Sequence, residues 1–436
     1  MALTADAGSV KTLHLTNSWH GTSGGIGTFY KALFEAANGA GQRMRLVVPS
    51  ERTRVEKAGD FGLVYHIESP RAPFNPEYRV LYPTRFLVPH TELRRILNSE
   101  QPDLVEVSEK YTLPYLAGLL RTRRLPGVRF RPTTVGLSCE RMDENMSAYL
   151  SNHACAQRFC NWYMKSIYFP MFDHHITVSE HTAAELIDAS RGHKVQRGIW
   201  VGPMGVDCDL FARARRSEEV RRHLLAQVPG NSSRMLLLYV GRLAPEKNLR
   251  LLLETMRLLD PRAHLLCVAG DGILLESLRA ECLAQGLSHV AFLGHVVDRE
   301  QLASYYASAD AFLHPNPREP FGIAPLEAMS AGLALVAPNS GGVVSYANAR
   351  NAWLVDPTAE AFAGAVREIR QSPERTARRT AQAAATGREF RWAGIAGRYL
   401  RLYREIHALT QGRGGQTTLA ARTYSTPGDW LGREIA

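Results

Sequence analysis

Along most of this chain, short apolar runs of β-forming residues alternate with amphipathic stretches of helical period. In the first half, strands are predicted at residues 12–16, 45–49 and 104–107. A glycine-containing loop after the first of them leads into a helix predicted over residues 28–37. Repeats of strand, loop and helix are typical of parallel sheets that carry helices on both faces. The alternation therefore predicts an α/β fold.

The same pattern starts again after about residue 200. Strands are predicted at residues 235–240, 264–269, 290–293, 311–314 and 333–337, and helices at residues 248–259, 273–285, 299–308 and 324–331. Residues 200–207 are the predicted hinge. We expect two Rossmann-like, doubly wound parallel-sheet domains that face each other across a cleft, with ligands at the carboxyl ends of the strands.

Length and composition agree with two globular domains. The chain has 436 residues, of which 45% are hydrophobic and 22% charged, and domains of about 200 residues are common. No apolar run approaches the ~20 residues of a membrane-spanning helix. The first ten residues lack the basic and apolar segments of a signal peptide. The six cysteines show no C-x-x-C pair or zinc-like spacing, so we expect reduced thiols in a cytoplasmic protein.

The net charge of +10 comes almost entirely from arginine. Arginine pairs bidentately with phosphate, so nucleic acid, acidic lipid headgroups and phosphorylated metabolites are all admissible partners. The sequence contains no zinc finger, basic heptad region or aromatic RNA-binding motif, which argues against nucleic acid. The basic stretch at residues 121–131, with Arg94 and Arg95, is either a contact with anionic lipid or a solvated surface.

The most informative motif is REPFGIAPLEAMSA, at residues 318–331. It places Glu319 in a loop after a predicted strand and Glu327 in the first turns of the following helix. Between them, Phe321 and Gly322 allow backbone amides to approach a ligand closely. Two carboxylates so spaced can bind hydroxyls of two different rings. The alternatives are that Glu327 only stabilises the helix start and that Glu319 is a solvated carboxylate.

A second motif, VGRLAPEKN at residues 240–248, connects a predicted strand to a predicted helix. Arg242 and Lys247 therefore lie at the carboxyl edge of the second sheet. Two cations there, with the amides of a helix N-terminus, can neutralise a diphosphate. On its own such a loop is more often a solvated basic turn, but its place in the same predicted sheet as the Glu319 loop favours a phosphate site.

A glycine-rich segment, SGGIGTF at residues 23–29, follows the first predicted strand. Gly25 and Gly27 predict a flexible loop that can accommodate an anion, although a plain tight turn fits the pattern equally well. The segment is not a dinucleotide fingerprint because a third glycine is missing, and the chain has no GK[ST] of a P-loop. Gly270 and Gly294 each follow a strand of the second half and are, taken singly, ordinary turn residues.

Taken in order, these motifs resemble the retaining GT-B glycosyltransferases of family 4. The segments that carry the resemblance are GGIGT, GVD at residues 205–207, VGRLAPEKN, AGDG, LGHV and EPFGIAPLEAM, and the likeness spans roughly residues 11–405. It implies an N-terminal acceptor-side domain at residues 1–203 and a donor-binding domain at 204–390. A helix at residues 391–409 would cross back to the first domain, and we expect a loose tail at residues 410–436.

The resemblance also implies residue roles. Catalysis is assigned to Glu319, Arg242 and Lys247, and donor binding to Gly25, Gly27, Gly270, Gly294, Phe321, Gly322, Ile323, Ala324 and Glu327. Arg242 and Lys247 would bind the donor diphosphate. Glu327 would bind the ribose, and Glu319 with amides of residues 321–324 the sugar hydroxyls. Gly25 and Gly27 would close over the donor phosphate.

Two positions depart from the family pattern. Where many relatives have a histidine in the first domain, this chain has TVGLSCER at residues 134–141, with Ser138 or Cys139 near that place. The candidate contacts with donor or acceptor there are Cys139, Glu140, Arg141 and Asp143. At Ser345 relatives often carry a glutamate, so the serine would be a weaker partner of ribose or phosphate, or a helix cap.

We therefore expect a glycosyltransferase that moves a hexose from a nucleotide-diphosphate sugar, of the GDP-mannose or UDP-glucose type. The acceptor would be a hydroxyl of a glycan, lipid-linked saccharide or glycolipid. The α-linkage would form with retention and without a metal or other cofactor. The alternatives are a catalytically weak nucleotide-sugar-binding protein and a sugar-nucleotide epimerase. A cytoplasmic protein is expected, peripheral on the inner face of the cell membrane if it contacts anionic lipid, and its oligomeric state is open.

Overall fold

The computed structural model describes residues 10–19, 24–73, 75–149, 153–193, 198–230, 232–412 and 433–434. The molecule divides into two compact units. Unit 1 comprises Met1–Met204 and Trp392–Ala436, and unit 2 comprises Gly205–Arg391.

Unit 1 is built on a mainly parallel sheet. Its strands and those of a small antiparallel pair are β1 (Thr12–Leu15), β2 (Met44–Ser50), β3 (Arg54–Lys57), β4 (Gly62–Glu68), β5 (Arg71–Ala72), β6 (Asn75–Arg79), β7 (Leu104–Val107), β8 (Thr133–Ser138), β9 (His174–Thr177) and β10 (Gly198–Val201). The main sheet runs in the order β10-β9-β8-β7-β1-β2-β4-β3, and β3 is antiparallel to β4. Strands β1 and β7 are buried along their whole length, as expected of central parallel strands covered on both faces.

Helices cover this sheet. They are α1 (Gly24–Gly39), α2 (Thr84–Leu87), α3 (Glu92–Glu100), α4 (Pro114–Arg121), α5 (Met142–Tyr149), α6 (His153–Tyr163) and α7 (Glu180–Ser190). Helix α6 continues through a π-helical turn, Met164–Tyr168, and a 3-10 turn, Phe169–Met171. The core beneath them joins Leu15 and Val107 of the sheet to Leu116, Phe169 and Leu186 of the helices.

Unit 2 is built on a fully parallel sheet. Its strands are β11 (Met235–Val240), β12 (His264–Ala269), β13 (Val290–Gly294), β14 (Ala311–Leu313), β15 (Ala334–Pro338) and β16 (Trp353–Val355), and they pair in the order β13-β12-β11-β14-β15-β16. This is the 3-2-1-4-5-6 order of doubly wound nucleotide-binding sheets. The strand order reverses between β11 and β14, where such sheets open a crevice for ligand.

Helices also connect the strands of unit 2. They are α8 (Glu218–Leu225), α9 (Arg250–Arg257), α10 (Leu275–Ala284), α11 (Arg299–Ser308), α12 (Ile323–Ser330), α13 (Ala359–Gln371) and α14 (Pro373–Glu389). Buried Leu237, Leu266 and Val336 of the strands join Met256 and Phe362 of the helices in one core. The predicted α/β class, with two Rossmann-like parallel sheets, is confirmed.

Three predicted helix starts are wrong by two residues or more. Helix α10 begins at Leu275 and not at residue 273. Helix α1 begins at Gly24 and not at residue 28, so the predicted glycine loop is largely helical. Helix α9 begins at Arg250 and not at residue 248. The cause is Asn248, whose φ of 53° is left-handed and ends the 3-10 turn Pro245–Lys247. The Asn248 amide donates to Pro315 O at 3.1 Å, which ties the β11 loop to the β14 loop.

The last helix, α15 (Trp392–Gly412), belongs to unit 1 and packs against α1. It continues three residues beyond the end predicted at residue 409, and Thr410 Oγ1 lies 3.2 Å from His174 Nε2. Strand β17 (Arg433–Glu434) pairs antiparallel with β10. Residues 410–412 and 433–434 of the predicted loose tail are therefore helical and paired in a strand, respectively, and residues 413–432 and 435–436 lie outside the described residues.

A buried polar cluster fastens α15 to the unit 1 sheet. Glu106 of β7 is fully buried, and its carboxylate lies 2.9 Å from His14 Nδ1 and accepts a hydrogen bond from Tyr30 at 3.1 Å. Tyr403 of α15 donates to the other carboxylate oxygen. A buried carboxylate requires such donors because desolvation is costly, so four separate elements are fixed together.

No described helix is long and apolar enough to cross a membrane.

Candidate active site

Two loops leave the carboxyl edge of unit 2 at the point where its strand order reverses. One follows β11 and carries Arg242 and Lys247, and the other follows β14 and carries Glu319. The sequence predicted both loops but not that their strands are neighbours. Because β11 and β14 are adjacent and parallel, the two loops come together at this edge.

The centre of the site is an ion pair between the two loops. Lys247 Nζ lies 2.8 Å from Glu319 Oε2, and the Asn316 amide donates to the same oxygen at 2.9 Å. The side chains of Lys247 and Glu319 are only 21% and 14% exposed. The ammonium is thereby fixed in position and has donors left for a further anion, since a lysine has three.

Electrostatics keep Glu319 ionised. Burial alone would raise the pKa of its carboxyl, but the Lys247 ammonium, the nearby His314 and the Asn316 hydrogen bond lower it to about 2. Burial lowers the pKa of His314 to about 4, so its imidazole is neutral at pH 7. His314 Nε2 is buried, lies 4.0 Å from Glu319 Oε2 and has no hydrogen-bond partner among the described residues.

Arg242 differs from Lys247. Its side chain is 60% exposed, and Nη2 lies 2.8 Å from Glu246 Oε1, four residues further along the chain. The Tyr239 hydroxyl donates to Arg242 O at 3.2 Å and holds the backbone of this loop. The predicted Arg242–Lys247 pair is therefore one largely buried cation and one exposed cation, each paired with a carboxylate.

Helix α12 begins beside Glu319. Its N-cap residue is Gly322, whose φ of 89° is left-handed and where a Cβ would lie 2.8 Å from the Tyr346 hydroxyl. Only glycine fits this position, and it offers no side chain to cap the helix. The first amides of a helix have no acceptor within it, so Ile323 and Ala324 present donors. The Phe321 ring is buried against Tyr346 and Phe390, which leaves its backbone as the part able to meet a ligand.

Glu327 lies within α12 and has a different environment. Burial raises the pKa of its carboxyl to about 7. The Tyr306 hydroxyl of α11 donates to Oε2 at 3.0 Å. The structure thus separates the two predicted carboxylates chemically, because Glu319 is held ionised by a cation and Glu327 titrates near neutrality.

Gly270 and Gly294 bring loops together. The Gly270 amide donates to Gly294 O at 2.8 Å, and a Cβ on Gly270 would lie 1.9 Å from Gly241 O. Gly270 is therefore required by the close approach of the loops after β11 and β12. Gly294 has a φ of 73° but no described atom within 4 Å of an added Cβ.

The glycines of unit 1 open α1. Gly25 and Gly27 lie in the first turns of this helix, not in the predicted flexible loop. A helix N-terminus also attracts anions through its free amides and dipole, which gives a different physical basis for the predicted phosphate contact. A Cβ on Gly27 would meet no described atom within 4 Å.

In unit 1, a buried ion pair between Lys110 and Glu185 supports the loop that carries Cys139 and Glu140, the predicted contacts with donor or acceptor. Lys110 Nζ donates to Glu140 O and to Glu185 Oε2, each at 2.5 Å. Glu185 Oε1 accepts from the amides of Met142 and Asp143 at the start of α5. Burial, with the nearby Glu106 and Glu140 carboxylates, raises the pKa of the Cys139 thiol well above its usual range, so Cys139 stays protonated at pH 7.

Arg141 and Asp143 bind each other at 2.7 Å. Glu144 links His181 to this pair, since His181 Nε2 lies 3.0 Å from Glu144 Oε2. The predicted role of Arg141 and Asp143 in substrate contact stays a prediction. Ser345 ends the 3-10 turn Gly342–Ser345, so it does not cap an α-helix.

Sequence reasoning missed several side chains that hold the site. They are Asn316 and His314 next to Glu319, Tyr306 beneath Glu327, and Lys110 with Glu185 in unit 1. The run His314-Pro-Asn316 directly after β14 is a signal that could have been noticed. Tyr306, Lys110 and Glu185 act across elements far apart in the chain and give no local signal.

Two family models match the chain. Glycosyltransferase Family 4 matches residues 23–210, and Glycosyl transferases group 1 matches residues 221–386. Together with the fold and the paired Lys247 and Glu319, these matches show that the chain belongs to the family 4 glycosyltransferases of the GT-B kind. A nucleotide-sugar donor and a glycan or lipid acceptor are the general partners of such enzymes.

Individual relatives add detail. The GDP-mannose-dependent alpha-(1-6)-phosphatidylinositol dimannoside mannosyltransferase of Mycobacterium tuberculosis is 29% identical over 387 residues, 86% of this chain and 91% of that protein. Sucrose-phosphate synthase from Thermosynechococcus elongatus superposes with a TM-score of 0.72 at 20% identity, covering 92% of this chain and 100% of that chain. Anabaena HepE in complex with UDP and glucose superposes with a TM-score of 0.65 at 18% identity, with the same coverage. At these identities the two solved structures show the fold alone.

Proposed function

We propose that this protein transfers a mannosyl group from GDP-mannose to a hydroxyl of a lipid-linked saccharide or glycolipid, with retention and without a metal. The observation that carries the proposal is the Lys247–Glu319 pair, fixed at 2.8 Å beside the N-terminus of α12 where the strand order of unit 2 reverses. A cation, a carboxylate and free amides at one place match a diphosphate joined to a polyhydroxylated ring.

The chemistry follows from where charge develops. As the bond between the sugar and the diphosphate breaks, the leaving phosphate oxygen becomes more negative, so Lys247 and Arg242 stabilise it in the transition state. Ionised Glu319 accepts hydrogen bonds from the sugar hydroxyls, and the backbone amides that follow Gly322 donate to the sugar beside it. Glu327 accepts hydrogen bonds from the ribose hydroxyls. The departing phosphate takes the proton of the attacking hydroxyl. That step places the new bond on the face the phosphate leaves, which retains the α-configuration.

The choice of donor rests on the relative of known specificity. The mycobacterial relative that aligns with 86% of this chain uses GDP-mannose, and its acceptor is a phosphatidylinositol dimannoside. Because that alignment includes both units, we extend the donor and the lipid class of acceptor to this chain. UDP-glucose remains the alternative donor to be tested beside it. We further propose that the protein works as a peripheral protein at the inner face of the cell membrane.

The test is a transfer assay with defined products. The purified protein is incubated with GDP-mannose or UDP-glucose and a mannosylated phosphatidylinositol, the lipid products are read by mass spectrometry, and the anomeric configuration is read by NMR. We expect one added hexose, α-linked, with GDP-mannose. Glu319→Gln and Lys247→Met should each lower the rate by about a hundredfold, as loss of one preorganised transition-state contact does.

Arg262→Met is the matched control, because Arg262 is a 90% exposed cation of unit 2 whose partner is Asp260. Its rate should equal that of the wild type. A folded protein that releases no nucleotide from either donor with any mannosylated lipid would contradict the proposed transfer. A β-linked product would contradict retention.

A further inference from the structure

We propose that unit 1 docks on the surface of an anionic lipid bilayer through one apolar face edged with arginine. We call this face the docking surface and define it by Leu87, Tyr115, Phe159, Trp162, Arg121 and Arg124. This inference rests on the proposed function, in which the acceptor is a lipid. It names the surface of unit 1 that would contact that lipid.

Part of the docking surface is an apolar pocket between α2, α4 and the turn after α6. The pocket has a volume of about 590 Å³, and its walls include Phe86, Leu87, Tyr115 and Met171. Arg121 and Arg124 stand among the lining residues. Leu87 is 52% exposed, and its neighbour Val88 is equally so. An apolar pocket with guanidinium groups beside it is chemically complementary to a phospholipid, because it can contact the acyl chain and the phosphate at the same time.

The aromatic part of the docking surface lies on α6. Phe159 and Trp162 are 48% and 55% exposed, and they are three residues apart, so they share one face of the helix. Their ring centroids are 6.0 Å apart. Large exposed aromatic side chains are costly in water, and tryptophan and tyrosine are enriched where proteins meet the interface of a bilayer.

The pocket and the aromatic pair are continuous. Tyr115 lines the pocket and interacts with the hydroxyl of Tyr163. The Tyr163 ring stacks on Phe159, with ring centroids 6.2 Å apart. Tyr163 is itself buried and joins the pocket to the aromatic pair from beneath, so the exposed apolar groups are neighbours and not isolated residues of the kind that any protein exposes.

The positive charge of the docking surface favours an anionic lipid as its partner. The three segments that form the docking surface, residues 83–88, 114–124 and 154–171, contain no aspartate or glutamate. Their cations are Arg85, Arg121, Arg123, Arg124, Arg158 and Lys165. Within the described part of the chain, none of these six forms an ion pair. Arginines next to inserted aromatic groups attract anionic headgroups near the membrane surface. Arg131, at the end of the predicted basic stretch, is instead paired with Asp173 at 2.8 Å and has no part in this surface.

The docking surface is linked to the loop that carries Cys139 and Glu140, the candidate contacts with donor or acceptor. Tyr163 donates to Lys110 O at 2.6 Å, and Lys110 Nζ in turn donates to Glu140 O. Tyr163, a buried side chain in contact with Tyr115 and Phe159 of the docking surface, is thus two hydrogen bonds away from the loop that carries Cys139 and Glu140. Docking through this face would bring that loop close to the headgroup region, where a lipid-linked acceptor presents its sugar.

Vesicle co-sedimentation tests the proposal without any donor or acceptor. The full-length protein is mixed at low salt with vesicles of phosphatidylcholine alone, or of phosphatidylcholine with phosphatidylglycerol. We expect pelleting with the anionic vesicles, and a loss of pelleting in high salt. The variants Phe159→Ser/Trp162→Ser and Arg121→Glu/Arg124→Glu should each lower the partition coefficient at least tenfold.

The matched controls carry equivalent changes in unit 2. Leu283 is 86% exposed and Arg262 is 90% exposed, so Leu283→Ser and Arg262→Glu alter similar groups outside the docking surface. Both should pellet as the wild type does. Brominated lipid should quench wild-type fluorescence, and Trp162→Phe should remove that quenching.

Wild-type protein that stays in the supernatant with anionic vesicles would overturn the proposal, as would an equal loss in variants and controls. Neither result would bear on donor binding, which is measured by titration in solution. Failure of docking and failure of the proposed transfer are therefore distinguishable.

Discussion

At the scale of single residues, Glu319 links the stability of unit 2 to acid. The pKa of its carboxyl is lowered to about 2, against burial, by Lys247 and its other partners. A carboxyl with a lowered folded-state pKa stabilises the protein above its unfolded pKa of about 4.5, and this contribution is lost as the pH falls from there towards 2. We predict that urea unfolding shows wild type more stable than Glu319→Gln at pH 6, and that the difference shrinks at pH 3. A difference independent of pH would contradict the assigned pKa.

Glu327 should act in the opposite pH range. Burial raises the pKa of its carboxyl to about 7, so the group is largely protonated at pH 6 and ionised at pH 8. An ionised carboxylate accepts hydrogen bonds from both ribose hydroxyls, which a protonated one does less well. We predict that the affinity for GDP rises severalfold between pH 6 and pH 8 in the wild type and stays flat in Glu327→Gln. Calorimetric titration measures both, and parallel pH profiles would contradict this role.

The candidate site residues were predictable, and the side chains that contact them were not. Glu319, Lys247 and Glu327 stand in compact motifs next to predicted strand ends, so their place at the carboxyl edge of a parallel sheet follows from the chain alone. The Lys247–Glu319 pair depends on β11 lying next to β14, and the Tyr306–Glu327 contact depends on how α11 packs on α12. Both are tertiary facts that no local pattern encodes.

At the scale of elements, the glycine loops of unit 2 allow a matched comparison. A Cβ on Gly270 would collide with Gly241 O at 1.9 Å, whereas one on Gly294 would meet no described atom within 4 Å. We predict that Gly294→Ala costs only the left-handed strain of about 1–2 kcal/mol. Gly270→Ala should cost more and should also weaken GDP binding, because the β11 loop must shift. Urea unfolding and GDP titration of the two variants measure this, and equal losses would contradict the packing reason.

Helix α15 supplies the second prediction at this scale. Tyr403 donates to the fully buried Glu106 carboxylate that also binds His14 and Tyr30. Tyr403→Phe leaves that oxygen short of a donor and should lower the free energy of unfolding by about 1–3 kcal/mol. Arg401→Ala, on the exposed side of the same helix, should change it by less than about 0.5 kcal/mol. A Tyr403→Phe variant as stable as wild type would remove the fastening role of the cluster.

The starts of α1 and α9 show where local sequence preferences fail to predict the ends of helices. Glycine is a poor helix former, which favoured a loop at Gly25 and Gly27, yet packing of α1 on the sheet and on α15 extends the helix back to Gly24. At Asn248 a left-handed backbone delays α9 by two residues. In both cases a tertiary contact outweighs a local preference of about 1 kcal/mol per residue.

At the scale of the whole molecule, strand–helix alternation was enough to predict two parallel sheets. It could not supply the strand order of either sheet, because order depends on which strands pair and not on their sequence in the chain. Several short buried strands of unit 1, such as β8, β9 and β10, were also not predicted. They are four to six residues long, and runs so short are hard to distinguish from buried helix.

The most direct test of this account is a calorimetric titration of GDP-mannose, with UDP-glucose beside it, into wild type, Lys247→Met and Arg262→Met. We expect GDP-mannose to bind the wild type and Arg262→Met equally, and Lys247→Met at least tenfold more weakly, because the fixed cation of the candidate donor site is gone. Lack of binding by either nucleotide sugar to the folded wild type would contradict the account. So would equal affinity for Lys247→Met.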